Sequence, residues 1–163
     1  MMVKHSVSDP LTGLFNRRYF DIAVQREAEW CSQRSETASV LLLNLGGCNA
    51  VKDGDGHWAG HWMVDRVLEK VGRALRRRVR QGDVACRCGG DEFALLLPNT
   101  PVTQAQRVAE RIRADVAASV EQTDICGCRV SLTVNIDVTS LPDGGPAREP
   151  LLTRADRAWA GSR

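Results

Sequence analysis

The most constraining feature of this sequence is a strand-turn-strand pattern near its middle. It reads Arg87-Cys88-Gly89-Gly90-Asp91-Glu92-Phe93-Ala94-Leu95-Leu96-Leu97-Pro98. An incoming strand is predicted from about Asp83, followed by a tight turn and an outgoing apolar strand. Gly89 and Gly90 can adopt positive φ cheaply and let a ligand approach the backbone. The turn would present two adjacent carboxylates, Asp91 and Glu92, although many turns of this composition are only solvated hairpin tips.

Length and composition suit one soluble globular domain. The chain has 163 residues, 43% hydrophobic and 26% charged, which is enough to bury a core. A net charge of +2 is too small to imply nucleic acid or an anionic membrane as an obligatory partner. There is no apolar run of the roughly 18 to 20 residues that a membrane span needs, and no signal peptide. We therefore expect a cytoplasmic protein, although a fragment of a membrane-anchored parent would look the same.

The remaining pattern predicts four helices and two further strands. Apolar residues at helical spacing predict helices over about 16–34, 58–80, 102–120 and 151–160. In the first helix the apolar stripe includes Phe20, Val24 and Trp30, and Thr100 is a candidate cap for the third. The apolar run 39–45 predicts a strand buried on both faces, and alternation predicts another over 129–140. The order of elements implies a mixed sheet covered by helices.

Two other features allow more than one interpretation. Six cysteines include two Cys-x-Cys pairs, whose spacing is too short for a typical structural zinc site, so reduced buried thiols are favoured over a metal site. They are Cys31, Cys48, Cys86, Cys88, Cys126 and Cys128. The basic run 73–80 is either a nucleic-acid patch or, as is more common, a solvated face that complements the helix dipole.

Two motifs resemble one protein family. Gly89-Gly90-Asp91-Glu92-Phe93 is similar to the signature of the GGDEF family of diguanylate cyclases. A second stretch, similar to the family's N-terminal motif, reads Asp9-Pro10-Leu11-Thr12-Gly13-Leu14-Phe15-Asn16-Arg17-Arg18. The resemblance implies a single α+β domain over residues 6–163, preceded by a leader segment at 1–5. Its fold would be the nucleotidyl-cyclase fold related to polymerase palm domains, with about five strands.

The resemblance also implies a reaction and a metal site. Family members condense two GTP molecules into cyclic di-GMP across a dimer of two such domains, with Mg²⁺ or Mn²⁺ bound by hard oxygen ligands. Asp91 would be a metal ligand and Glu92 a possible base for the attacking hydroxyl. The first core strand normally supplies a second acidic ligand, but here it ends Leu43-Asn44-Leu45-Gly46. Asn44 and the Leu45 backbone would leave the metal site short of one negative charge.

Guanine and phosphate recognition look altered as well. Counting eight and seventeen residues onward from Asn44 puts Lys52 and His61 where the family has acceptors for the guanine edge. Lysine has only donors, and a buried donor left unpaired costs about 1–3 kcal/mol. The remaining expected nucleotide contacts are Gly46, Gly47, Cys48, Gly89, Gly90 and Arg163.

A second nucleotide site is predicted beside the signature. Arg80-Gln81-Gly82-Asp83 resembles the family's inhibitory product site, which Arg111 from a neighbouring domain would complete. An arginine fork can donate to guanine while a carboxylate accepts from its other edge.

The sequence therefore favours a degenerate GGDEF domain of a larger signalling protein, with lost or reduced cyclase activity and cyclic di-GMP binding. The alternative is an active cyclase that tolerates Asn44, Lys52 and His61. The partners implied are GTP or cyclic di-GMP and a second copy of the domain, with no nucleic acid and no membrane contact.

Overall fold

A mixed five-stranded sheet with three helices forms the part of the chain that the structure describes. The computed structural model describes residues 6–46, 57–121 and 132–141. The strands are β1 (Phe15–Asn16), β2 (Ala38–Gly46), β3 (Val84–Arg87), β4 (Glu92–Leu97) and β5 (Thr133–Leu141). The helices are α1 (Arg17–Arg34), α2 (His57–Arg78) and α3 (Val102–Glu121). The predicted helix over 151–160 lies outside the described residues.

The strand order is β1-β3-β4-β2-β5, with β1 parallel to β3 and every other pair antiparallel. This arrangement confirms the predicted mixed sheet. The two-residue β1, which brings the N-terminal motif onto the edge of β3, was not predicted, because two residues are too few to show a period.

The inner strand β2 has buried side chains on both faces, as predicted. Leu41, Leu43 and Leu45 lie in one apolar cluster with residues of α2 and α3, whereas Val40 and Leu42 lie in a second cluster with α1. Successive side chains of a strand point to opposite faces, so one continuous apolar run serves both layers.

Helix α1 is placed as predicted, and its buried stripe is as predicted at Phe20 and Val24 but not at Trp30. Asn16 caps the helix by accepting the Tyr19 N–H at 3.0 Å. Trp30 is 45% exposed, with the Arg34 guanidinium 3.7 Å from its ring centroid, and Cys31 takes the buried position instead. The assignment of Trp30 to the core was wrong, because with Phe20 and Val24 buried the 3.6-residue period reaches 31 rather than 30.

Helices α2 and α3 cover the opposite face. The buried stripe of α2 includes Val67, Val71 and Leu75, as predicted, and the helix ends at Arg78 rather than Arg80. Helix α3 begins at Val102, but the Thr100 hydroxyl donates to the Pro98 carbonyl at 2.9 Å and so does not cap the helix. Among the described residues, no helix combines the length and the apolar composition of a membrane span.

Candidate functional site

The Gly89-Gly90 turn joins β3 to β4 without a left-handed residue. The Cys88 N–H donates to the Glu92 carbonyl at 2.8 Å and closes the turn. Positive φ among the described glycines occurs at Gly13 and Gly82, so the expectation of positive φ at Gly89 or Gly90 was wrong. A side chain added at Gly90 would meet nothing within 4 Å, and one at Gly89 would make only ordinary contact with Glu92. Within the described residues, neither conformation nor packing requires glycine here.

Arg87 fixes the position of this turn. Its Nε donates to the Gly89 carbonyl at 3.2 Å, its Nη2 to the Gly90 carbonyl at 3.1 Å and its Nη1 to Asp9 Oδ1 at 3.2 Å. Asp9 in turn accepts the Thr12 N–H at 2.8 Å. The two motifs of the sequence are therefore joined through one largely buried ion pair.

This pairing was missed from the sequence. Arg87 and Asp9 both stand in quoted motifs, but they lie 78 residues apart. The only signal was that each motif carries a charged residue next to a turn, which does not say that the two meet.

The expected metal and catalytic residues meet where β2 ends and β4 begins. Asn44 is the direct partner of Glu92 in the antiparallel ladder, and the Leu45 N–H donates to the Asp91 carbonyl at 3.1 Å. Directly opposed residues in such a pair have Cβ atoms about 4.5–5.5 Å apart. Asp91 is exposed, while Asn44 and Glu92 are half-buried. The fold thus brings Asn44, Leu45, Asp91 and Glu92 together.

These groups offer a divalent cation suitable donor atoms but little negative charge. Carboxylate, amide and backbone carbonyl oxygens are all ligands for Mg²⁺, so the donor types fit. The strand residue Asn44 adds no anion, however, and its neighbour on β5 is another amide, Asn135. Among the described residues, no cluster of three or more His, Cys, Asp or Glu side chains forms a metal site.

The structure describes only some of the residues expected to contact the nucleotide. Gly46 ends β2, where the Thr133 hydroxyl occupies the space that a side chain would need, so packing alone accounts for this glycine. His61 falls within α2, where its side chain is not described, and four positions lie outside the described residues. These are Gly47, Cys48, Lys52 and Arg163.

Asp65 is an acid on α2 that the sequence reasoning passed over. It is exposed and follows position 61 by four residues, about one helical turn, so both positions are on one side of the helix. The assignment to His61 came from counting forward across the segment between β2 and α2. Such connections vary in length, so counting back from the signature through α2 would have been safer and would have brought Asp65 into view.

Arg80 and Asp83 form the turn between α2 and β3. The Arg80 N–H donates to Asp83 Oδ2 at 2.8 Å, and the Arg80 side-chain Nε lies 3.6 Å from the same oxygen. The Arg80 side chain is 65% exposed, with Nη2 donating to the Thr100 hydroxyl, whereas Asp83 is only 4% exposed. The Asp83 carboxylate is therefore already hydrogen-bonded within the turn, whereas the Arg80 side chain is accessible to a ligand. Arg111 is exposed on α3, and no contact places it with the other two.

The described cysteines are free thiols, as predicted. Cys86 of β3 and Cys88, just after the strand, have their Sγ atoms 3.3 Å apart, and Cys31 is buried in α1. The hydrogen bond with Cys88, together with burial, raises the pKa of the Cys86 thiol. Cys48, Cys126 and Cys128 lie outside the described residues.

Comparison with known proteins agrees with this arrangement. Residues 6–162 match the family described as "Diguanylate cyclase, GGDEF domain". The chain is 34% identical over 151 residues to the response regulator PleD of Caulobacter vibrioides, covering 93% of this chain but 32% of PleD. The chain therefore spans about a third of that relative's length.

Solved structures share the fold. A structure of the GGDEF domain alone of TpbB from Pseudomonas aeruginosa superposes with a TM-score of 0.73 at 32% identity, covering 93% of this chain and 85% of that one. The GGDEF domain of DgcB from Caulobacter crescentus, in complex with cyclic di-GMP, has a TM-score of 0.78 at 24% identity, covering 99% and 90%. From the family match and the sequence identity, the chain belongs to the GGDEF family of diguanylate cyclase domains.

Proposed function

We propose that this chain is a GGDEF domain of cyclic di-GMP signalling whose cyclase activity is lost or much reduced. The observation that supports the proposal most is the position of Asn44, directly opposite Glu92 and beside Asp91. An uncharged amide stands where a Mg²⁺–triphosphate complex needs negative charge from the protein.

The electrostatic argument depends on ligand charge. Mg²⁺ bridging a triphosphate takes hard anionic oxygens, and affinity for such cations rises with the number of charged ligands. Here the two acids are adjacent in the chain, Asp91 at the end of the turn and Glu92 at the start of β4, and the neighbouring strand adds only Asn44. The cation is then held less firmly against a nucleotide that itself carries four negative charges.

Measuring cyclic di-GMP formed from GTP with Mg²⁺ or Mn²⁺ tests this proposal. Because the reaction needs two domains, the chain is fused to a parallel coiled coil that brings two copies together. We expect little product from the unmodified chain and a clear gain in Asn44→Asp. Asn135→Asp is the matched control, since it adds the same charge one strand further from Asp91 and should give no gain. Efficient production by the unmodified chain contradicts the proposal.

We also propose that the domain binds cyclic di-GMP through Arg80. Its exposed guanidinium can donate to guanine O6 and N7 in a fork, the geometry for which arginine is suited. Asp83 is largely buried, so its main contribution is to hold the turn from which Arg80 projects. Arg111 would contribute from the neighbouring domain of a dimer.

Calorimetry with cyclic di-GMP tests the binding proposal. We expect saturable binding that Arg80→Ala abolishes and Arg111→Ala weakens. Arg107→Ala, on the same helix as Arg111 and also exposed, is the control and should bind as the unmodified chain does. The absence of any heat with the unmodified chain removes this part of the proposal.

A second candidate function is an active diguanylate cyclase within a larger signalling protein. Asp65 favours it, because an exposed carboxylate on α2 can accept from the guanine edge whatever His61 does. If the unmodified dimer makes cyclic di-GMP, Asp65→Asn should reduce its use of GTP, whereas His61→Ala should not.

A further inference from the structure

The basic end of α2 forms one wall of a cleft that the proposed function does not use. The cleft has a volume of about 410 Å³ and is lined by Lys70, Arg73, Arg76 and Arg77 of α2 with Ser119 of α3. It lies on the α2 and α3 side of the sheet, among residues distinct from Asn44, Asp91 and Arg80. This volume is within the range of pockets that hold small molecules.

The four cations of the cleft lie close together, and among them Arg77 has a nearby acid, Asp115. Lys70, Arg73 and Arg77 follow one another at three- and four-residue steps on α2, so like charges face each other along one side of the helix. The nearby acid of α3, Asp115, is held by Arg78 through two hydrogen bonds. No hydrogen bond or ion pair to another described residue engages Lys70, Arg73 or Arg76.

Arg76 is held in place by packing. Its guanidinium lies against the backbone of Gly13, in the space that a side chain at position 13 would occupy, and Gly13 has φ +72°. The N-terminal motif thus supports one wall of the cleft while leaving the Arg76 donors without an acidic partner among the described residues.

The lining chemistry selects among anions. Three arginines offer planar donor forks that match phosphate oxygens, and lysine adds a point charge. None of the described residues that line the cleft is aromatic, so they offer no platform on which a nucleobase or a single strand could stack. Recognition would depend on charge density in a small volume rather than on a base.

We propose that this cleft binds a compact polyphosphate group, either inorganic or as the triphosphate end of a nucleotide. Bound phosphates would relieve the repulsion along α2 and bridge it to Ser119 of α3. The shared chemistry is two or more linked phosphates within one cleft, so inorganic triphosphate is the direct probe.

Calorimetric titration of inorganic triphosphate into the full chain, with EDTA to suppress any cation-dependent nucleotide site, tests the proposal. We expect saturable one-to-one binding that weakens as salt rises. The double variant Arg73→Glu/Arg77→Glu should weaken binding at least about tenfold, the effect of losing one charge-assisted hydrogen bond. Arg26→Glu, which is an exposed charge reversal on α1 across the sheet with half the charge change of the double variant, should leave binding unchanged.

Comparing ligands distinguishes the sources. Equal affinity for GTP and inorganic triphosphate, both lost in the double variant, identifies the triphosphate as the recognised group. The proposal is overturned by an absence of triphosphate binding, by equal loss in Arg26→Glu, or by tighter binding of duplex DNA than of triphosphate through the same arginines. Retained circular dichroism and melting temperature in the double variant show that the fold is intact.

Discussion

At the scale of single residues, the Arg87 side chain joins the two motifs of the sequence. Its guanidinium donates to two backbone carbonyls of the signature turn and to Asp9 of the N-terminal motif. A lysine has the same charge but one terminal nitrogen, so it cannot reach all three acceptors at once. Arg87 therefore ties the turn that carries Asp91 and Glu92 to the N-terminal motif.

Arg87→Lys is therefore expected to destabilise the domain by about 1–3 kcal/mol, the range for losing hydrogen bonds to a charged group. The urea midpoint of unfolding measures this. Arg66→Lys is the control, because Arg66 forms an exposed pair with Glu69 at 3.8 Å and exposed pairs contribute about 1 kcal/mol or less. Equal effects of the two substitutions would contradict the anchoring role of Arg87.

Substitutions at two glycines with positive φ distinguish the cost of backbone strain from the cost of disturbed packing. Gly13 and Gly82 have φ of +72° and +96°, but only Gly13 has another residue, Arg76, in the space of a side chain. Gly82→Ala should cost about 1–2 kcal/mol from the left-handed conformation alone. Gly13→Ala should cost more, since Arg76 must also move, and thermal unfolding compares the two. A smaller loss in Gly13→Ala would show that Arg76 does not rest there.

At the scale of elements, α2 and α3 are linked by the Arg78–Asp115 ion pair. The hydrogen bond from Arg78, and to a lesser extent the charges of Arg78 and Arg77, lower the pKa of the Asp115 carboxyl below its usual range. Both side chains are partly exposed, so the pair is screened by solvent. It is a modest contact in a region that otherwise carries excess positive charge.

The lowered pKa of Asp115 determines how the stabilisation by the Arg78–Asp115 pair depends on pH. The pair stabilises the fold above the unfolded-state pKa of about 3.9, and that contribution is lost as pH falls through the lower folded-state value. Asp115→Asn should therefore be less stable than the unmodified chain at pH 7, with the difference shrinking below about pH 4. Urea unfolding at several pH values measures it. A difference that stays constant across this range would contradict the assignment.

At the scale of the whole molecule, the helices and strands could be predicted from the sequence better than the contacts between them. The run 39–45 predicted β2 because an apolar stretch of that length, followed by two glycines, suits a strand buried on both faces. The opposition of Asn44 and Glu92 could not be predicted, because register depends on the hydrogen-bond ladder between distant segments. The Arg87–Asp9 ion pair could not be predicted for the same reason, since its two residues lie in distant segments. Trp30 was wrongly assigned to the buried stripe of α1 because it is an apolar residue next to a position of that stripe.

The central claim is that an amide at position 44 weakens the hold on Mg²⁺–triphosphate. The most direct measurement is calorimetric titration of Mg²⁺ with a non-hydrolysable GTP analogue into the unmodified chain, Asn44→Asp and Asn135→Asp. Arg73→Glu/Arg77→Glu is present in all three to remove the α2 cleft. We predict tighter, Mg²⁺-dependent binding in Asn44→Asp and no gain in Asn135→Asp. Equal, tight, Mg²⁺-dependent binding by the chain with Asn44 in place would contradict the account.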